Sequence, residues 1–90
     1  MVQQEVFVDT GAWLALMITD DNHHINAKKI YPALFTNYQK LVTTNLVLAE
    51  TYIAVRKTEG YSIAISFLEN IKASPRIEKI YSTNELEEEA

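Results

Sequence analysis

Three short runs rich in β-branched and aromatic residues divide this chain: Val6-Phe7-Val8, Leu41-Val42 and Ile77-Glu78-Lys79-Ile80-Tyr81. The stretches between them are far too long for hairpin turns and carry helical patterning. Strands joined by helix-length crossovers pair in parallel. The order strand, helices, strand, helices, strand therefore predicts an α/β fold built on a parallel sheet. With only 2 Gly in 90 residues, a small all-β barrel is excluded, because its tight turns need many more.

The intervals can be read in more detail. Ala12 to Met17 reads as a short helix, and Asp20-Asp21-Asn22-His23-His24 as a polar loop of helix-capping types. Ala27, Ile30, Tyr31, Leu34 and Tyr38 recur at helical spacing, with Pro32 expected to kink or split that helix near Lys28 and Lys29. Thr44 or Asn45 is placed to cap a helix from Leu46 to about Lys57, closed by Gly60. Tyr61 to Ala73 forms a third long helix after the short first one, with Ile65, Leu68 and Ile71 on its apolar side and Phe67 flanking, stopped by Ser74-Pro75. At the end, Ser82-Thr83-Asn84-Glu85 matches a capping box, and Glu85, Glu87, Glu88 and Glu89 suit a first helical turn. The same residues read equally as a solvated acidic tail.

Size adds a constraint. A chain this short buries only about 60–65% of the surface its unfolded form exposes. It has no cysteine, so neither a disulfide nor a thiolate metal site supports it. Packing, a metal held by carboxylates or another chain must do so. The lack of cysteine fits a cytoplasmic protein. The formal net charge is −4, so nucleic acid would have to be held by a local basic patch or by bound cations. No apolar run approaches the roughly 20 residues of a membrane span, and the opening Met-Val-Gln-Gln-Glu carries no basic leader segment.

Two acidic residues stand out. Asp9 follows the first strand directly, at the carboxyl edge where open α/β sheets bind ligands. It is also placed to cap the following helix, and the two roles are compatible. Asp9-Thr10-Gly11-Ala12 spells the active-site tetrapeptide of retroviral-type aspartic proteases, but that fold is all-β and the helical segments here oppose it. Glu50 shares one side of its helix with Leu46, Val47, Ile53 and Ala54. Buried there, it would need a cation, a hydrogen-bond donor or a proton; at the rim it would simply reach water. Both carboxylates fall at one edge of a parallel sheet, where a hard cation such as Mg²⁺ or Mn²⁺ would relieve their repulsion.

Val6-Phe7-Val8-Asp9-Thr10-Gly11-Ala12-Trp13 resembles the opening of a PIN domain, the nuclease fold of VapC-type toxins. Thr43-Thr44-Asn45-Leu46-Val47-Leu48-Ala49-Glu50 resembles its second motif, and Asp20-Asp21-Asn22-His23-His24 with Ala27 the loop between them. The resemblance implies a three-layer α/β/α fold and a Mg²⁺- or Mn²⁺-dependent site that cleaves RNA. It makes Asp9 and Glu50 catalytic, metal-holding carboxylates, with Thr10 a supporting hydroxyl, and it suggests an antitoxin protein as partner. Family members continue past the position of Ala90 with a third acidic residue and the strand that pairs beside strand one. Residues 1–90 therefore read as a single, incomplete PIN-like domain lacking the C-terminal strands. Its site is expected to bind metal weakly and to turn RNA over poorly. The alternative function is an inactive PIN module working by association.

The resemblance also leaves strand one as a sheet edge with Phe7 and Trp13 uncovered, so a homo-oligomer is expected. Lys28, Lys29, Arg56 and Lys57 are weak candidates for RNA phosphates and read more simply as solvated faces. His23 and His24 read as loop residues, with metal binding or general-base work as the sharper alternative. Trp13 and the five Tyr read as core and interface rather than base-stacking platforms.

Overall fold

The computed structural model describes residues 3–81. Its elements are β1 (Gln3–Phe7), α1 (Thr10–Met17), α2 (His24–Asn37), β2 (Tyr38–Thr44), α3 (Asn45–Glu59), α4 (Tyr61–Ala73) and β3 (Ile77–Ile80). The sheet order is β1-β2-β3, and both pairs are parallel. The expected α/β class is the one found, with four helices around three parallel strands. The Ser82–Glu85 capping box and the acidic tail lie outside the described residues. Among those residues no helix is long and apolar enough to cross a membrane.

Register and the two-residue period of strands fix which side chains share a face. Val6, Leu41 and Ile77 lie side by side across the three strands, and Val8 and Thr43 continue that face. Trp13, Phe67 and Ile71 pack over it with Val8, Leu41 and Ile77 to make the core. On the other face Glu5, Phe7, Lys40, Glu78 and Ile80 are exposed. The central strand is buried at three successive positions, Leu41, Val42 and Thr43. Such a run without alternation is typical of a parallel strand whose side chains are covered on both faces.

The core is aromatic at its centre. Trp13 is 1% exposed. Its ring meets Phe67 edge-on at 5.5 Å and Tyr31 at 6.0 Å, and Tyr31 meets Phe35 at 5.2 Å. Edge-to-face pairs of this kind add to the area they bury. Trp13 therefore does not lose its cover, contrary to expectation, because α2 and α4 supply it. Phe7, at 56% exposed, does lie open on β1, as expected.

Two details differ from the sequence reading. The α2 helix runs unbroken from His24 to Asn37 through Pro32. Pro32 removes the bond to the Lys28 carbonyl, but both residues are exposed, so water can satisfy that oxygen. In α4 the buried stripe is Ala64, Phe67 and Ile71. Phe67 is thus central rather than flanking, because its ring fills the space beside Trp13.

Local chemistry sets the joints. Gly60 has φ 96 and ψ 167 between α3 and α4, a conformation that costs a side-chain-bearing residue dearly. Arg76, just before β3, donates from Nη2 to the Phe35 and Tyr38 carbonyls and from Nε to the Gln39 carbonyl at 3.2 Å. Its guanidinium also lies 5.0 Å from the Phe35 ring centre. Arg76 thereby closes the last turn of α2, where carbonyls lack helical partners.

Candidate active site at the carboxyl edge of the sheet

Because β1 and β2 run parallel, the chain leaves both at the same edge. Asp9 follows β1 there and caps α1, its Oδ1 accepting the Ala12 N–H at 3.0 Å. Thr44 ends β2 and caps α3, its Oγ1 accepting the Val47 N–H at 3.1 Å. Glu50 stands in the second turn of α3. Thr10 Oγ1 donates to Glu50 Oε2 at 3.3 Å, across a separation of 40 residues. The first turn of α1 is thus joined to the second turn of α3 through the residue next to Asp9. Sequence reasoning saw both roles of Asp9, and the capping role is directly present.

Glu50 is not buried on an apolar face. It is exposed, with Leu46 at 44% and Ile53 at 54% exposed beside it. The side of α3 turned inward is instead that of Thr51 and Val55. Apolar residues surround this helix on nearly every side, so periodicity alone does not choose the inner face. A threonine can face the core because its hydroxyl is satisfied within the helix, Thr51 Oγ1 donating to the Val47 carbonyl at 2.7 Å.

Support for the site comes from beneath. Trp13 Nε1 donates to Thr43 Oγ1 at 3.2 Å, and Thr43 Oγ1 donates to the Val8 carbonyl at 3.2 Å. The Asp9 carbonyl in turn accepts the Trp13 N–H at 3.2 Å. Buried bonds therefore hold the backbone on both sides of the Val8–Asp9 junction. Thr43 was not singled out from sequence; its one signal was a hydroxyl directly after the apolar pair Leu41-Val42.

The other candidates stand apart from this edge. His24 Nδ1 lies 2.9 Å from the Ala15 carbonyl and ties α2 to α1. His23 is exposed and lies at the rim of an apolar hollow of about 330 Å³ between those helices. Lys28 and Lys29 are exposed on α2. Arg56 and Lys57 occupy the last turn of α3, the end directed away from Glu50, and Arg56 lies 5.7 Å from the Tyr61 ring centre. No contact joins any of these to Asp9 or Glu50 among the described residues.

The donor chemistry fits a hard divalent cation. Both carboxylates are exposed. Among the described residues the salt bridge present joins Lys40 to Glu78 at 3.8 Å, so neither Asp9 nor Glu50 has a basic side chain within bonding range. One or two carboxylates completed by water is a common environment for Mg²⁺. The described residues contain no group of three or more His, Asp or Glu positioned to hold a metal.

The fold matches a crystal structure of VapC20 from Mycobacterium tuberculosis, described as a sarcin-ricin loop cleaving toxin, with a TM-score of 0.79 and 29% sequence identity. That match covers 92% of this chain and 61% of that one, so the chain spans less than two thirds of its structural relative. No curated protein sequence matches the chain. The PIN domain family model matches residues 6–90, a span that contains Asp9, Thr10, Thr43 and Glu50, and the chain belongs to the PIN domain family.

Proposed function

We propose that this chain is a metal-dependent endoribonuclease of the PIN type, the toxin of a VapBC-type toxin–antitoxin pair. The carrying observation is the Thr10–Glu50 hydrogen bond, which joins the two motif-bearing helix starts at one sheet edge. The likeness to VapC20, a sarcin-ricin loop cleaving toxin, supports RNA as the substrate class. In this reading residues 1–90 act as a single, incomplete PIN-like domain in the cytoplasm, with an antitoxin protein as partner.

Asp9 and Glu50 hold Mg²⁺ or Mn²⁺ through their carboxylate oxygens. Ala12 N–H fixes one oxygen of Asp9, and Thr10 fixes one oxygen of Glu50. These bonds pre-orient both groups, so less ordering is needed when the cation arrives. The chemistry a cation would supply there is stabilisation of the charge that develops on a scissile phosphate. The Trp13–Thr43–Val8 relay keeps Asp9 in place from the core side.

A second reading is favoured by one observation, the absence of a third metal-holding side chain near the pair among the described residues. In it the chain is an association module derived from a nuclease, self-associating through the exposed β1 edge.

RNA cleavage separates the two. Single-stranded RNA incubated with the 90-residue chain and Mn²⁺ is expected to be cut slowly, with cutting stopped by EDTA and by either Asp9→Asn or Glu50→Gln. Cleavage that survives both substitutions overturns the site assignment. Intact RNA, with Mn²⁺ still bound at the pair, selects the association module.

A further inference from the structure

A second feature opens on the same sheet edge, on the other flank of α3. Leu48 and Tyr52 of α3, Leu68 and Lys72 of α4, and Lys79 and Tyr81 at the end of β3 line a groove of about 410 Å³. The sequence places them there by simple periods. Leu68 and Lys72 are one turn apart on α4. Lys79 follows Ile77 at the strand period of two and stands on the face that carries the core, with Tyr81 just past the strand end. Leu48 and Tyr52 are again one turn apart. Ala49 also lines the groove, and its chain neighbour Glu50 carries the proposed metal site. Groove and carboxylates are thus separated by the width of one helix, about 10 Å.

The chemistry of this groove is unusual for the chain. The protein has a formal net charge of −4, yet two lysines converge here with no carboxylate paired to either among the described residues. Tyr81 is 70% exposed beside them, and Tyr52 is half-buried. Cations with no carboxylate paired to them among the described residues, next to aromatic rings on a mostly apolar floor, complement a single-stranded polynucleotide. Bases stack on the rings while phosphates meet the ammonium groups. A folded protein partner would more readily supply carboxylates in fixed positions, but it would leave an exposed tyrosine face without a particular use.

We infer that the Tyr52–Lys72–Lys79–Tyr81 groove is a subsite for single-stranded RNA, holding nucleotides that flank the phosphate presented to Asp9 and Glu50. The inference rests on the nuclease reading for what happens at that phosphate, but the groove's affinity for RNA does not require the cation. Lys28, Lys29, Arg56 and Lys57, the basic residues expected from sequence, take no part in it.

The test is a titration of the 90-residue chain with fluorescein-labelled oligouridylate of about eight nucleotides, a length within the span of single-strand sites. It is run in EDTA and followed by anisotropy and by amide NMR shifts. Shifts are expected at Tyr52, Lys72, Lys79 and Tyr81. Tyr81→Leu, an exposed position, should weaken binding by ~5-fold or more if a base stacks there. The double variant Lys72→Gln, Lys79→Gln should lower the slope of log affinity against log salt by ~1.4, from ~0.7 per phosphate contact on a single strand. Shifts confined to Lys28, Lys29, Arg56 and Lys57, or an unchanged slope, overturn the proposal. So do groove signals that move only when Glu85, Glu87, Glu88 and Glu89 are changed to Gln, which would assign the groove to the chain's own acidic segment. Mn²⁺ that broadens Thr10 and Glu50 while RNA leaves the groove unmoved defeats the groove alone. RNA seated in the groove while Mn²⁺ ignores Asp9 defeats the nuclease reading and keeps the groove.

Discussion

The indole of Trp13 donates a buried hydrogen bond of 3.2 Å to the hydroxyl of Thr43, and that hydroxyl donates in turn to the Val8 carbonyl. One hydroxyl therefore satisfies two buried groups, one of them next to Asp9 in the chain. Replacing it by a methyl leaves the indole N–H and this bond to Val8 unmet. Thr43→Val is expected to destabilise the fold by ~1–3 kcal/mol, the usual cost of stranding a buried polar group. Thr43→Ser, which keeps the hydroxyl, should recover part of that loss. Urea unfolding of the three proteins measures it, and a Thr43→Val protein as stable as the parent would show that the relay carries no weight.

The α/β order and the helix starts were legible because they rest on local chemistry: Asp9 and Thr44 as caps, Gly60 at a positive φ, and the parallel connections forced by long crossovers. What stayed hidden depends on tertiary packing. The inner face of α3 could not be read, because Leu46, Ile53 and Ala54 offer as much apolar surface as the side of Val47, Thr51 and Val55 that the fold turns inward. Nothing local marks Arg76, and only the meeting of the α2 end with β2 gives it three carbonyls to close. Asp9, Thr10 and Glu50 were legible as candidates through motif and topology, but the partner of the Thr10 hydroxyl, Glu50, required the side chains.

Tyr31 carries a pH signature. Burial raises its phenol above the ordinary value of 10.0. The folded state therefore holds this proton more tightly than the unfolded state does. The contribution is fully present below pH 10, and is lost as pH rises from there through the folded value. Tyr31→Phe should remove that loss, so the stability difference between parent and variant should change above pH 10 and stay flat between pH 7 and 9. Chemical denaturation across that range measures it. A difference that changes between pH 7 and 9 instead would contradict the assignment to Tyr31.

The β1 edge bears on assembly. β1 is an outer strand among the described residues, and Phe7 is 56% exposed on it. An open edge beside an apolar ring invites pairing with another strand, and a charge placed there opposes it. Concentration-dependent self-association is expected in sedimentation equilibrium, and Phe7→Lys should shift it toward monomer by ~10-fold or more in dissociation constant, as one lost buried aromatic contact would. A parent protein that stays monomeric over the whole concentration range would rule this edge out as a contact.

The central claim is that Asp9 and Glu50 share a divalent cation, and paramagnetic broadening by Mn²⁺ reads it residue by residue. On adding Mn²⁺ to the 90-residue chain, the account predicts that signals of Asp9, Thr10 and Glu50 broaden first. Mg²⁺ should compete the broadening away, and both Asp9→Asn and Glu50→Gln should abolish it. Broadening that begins elsewhere, or that persists unchanged in the two variants, would contradict the account.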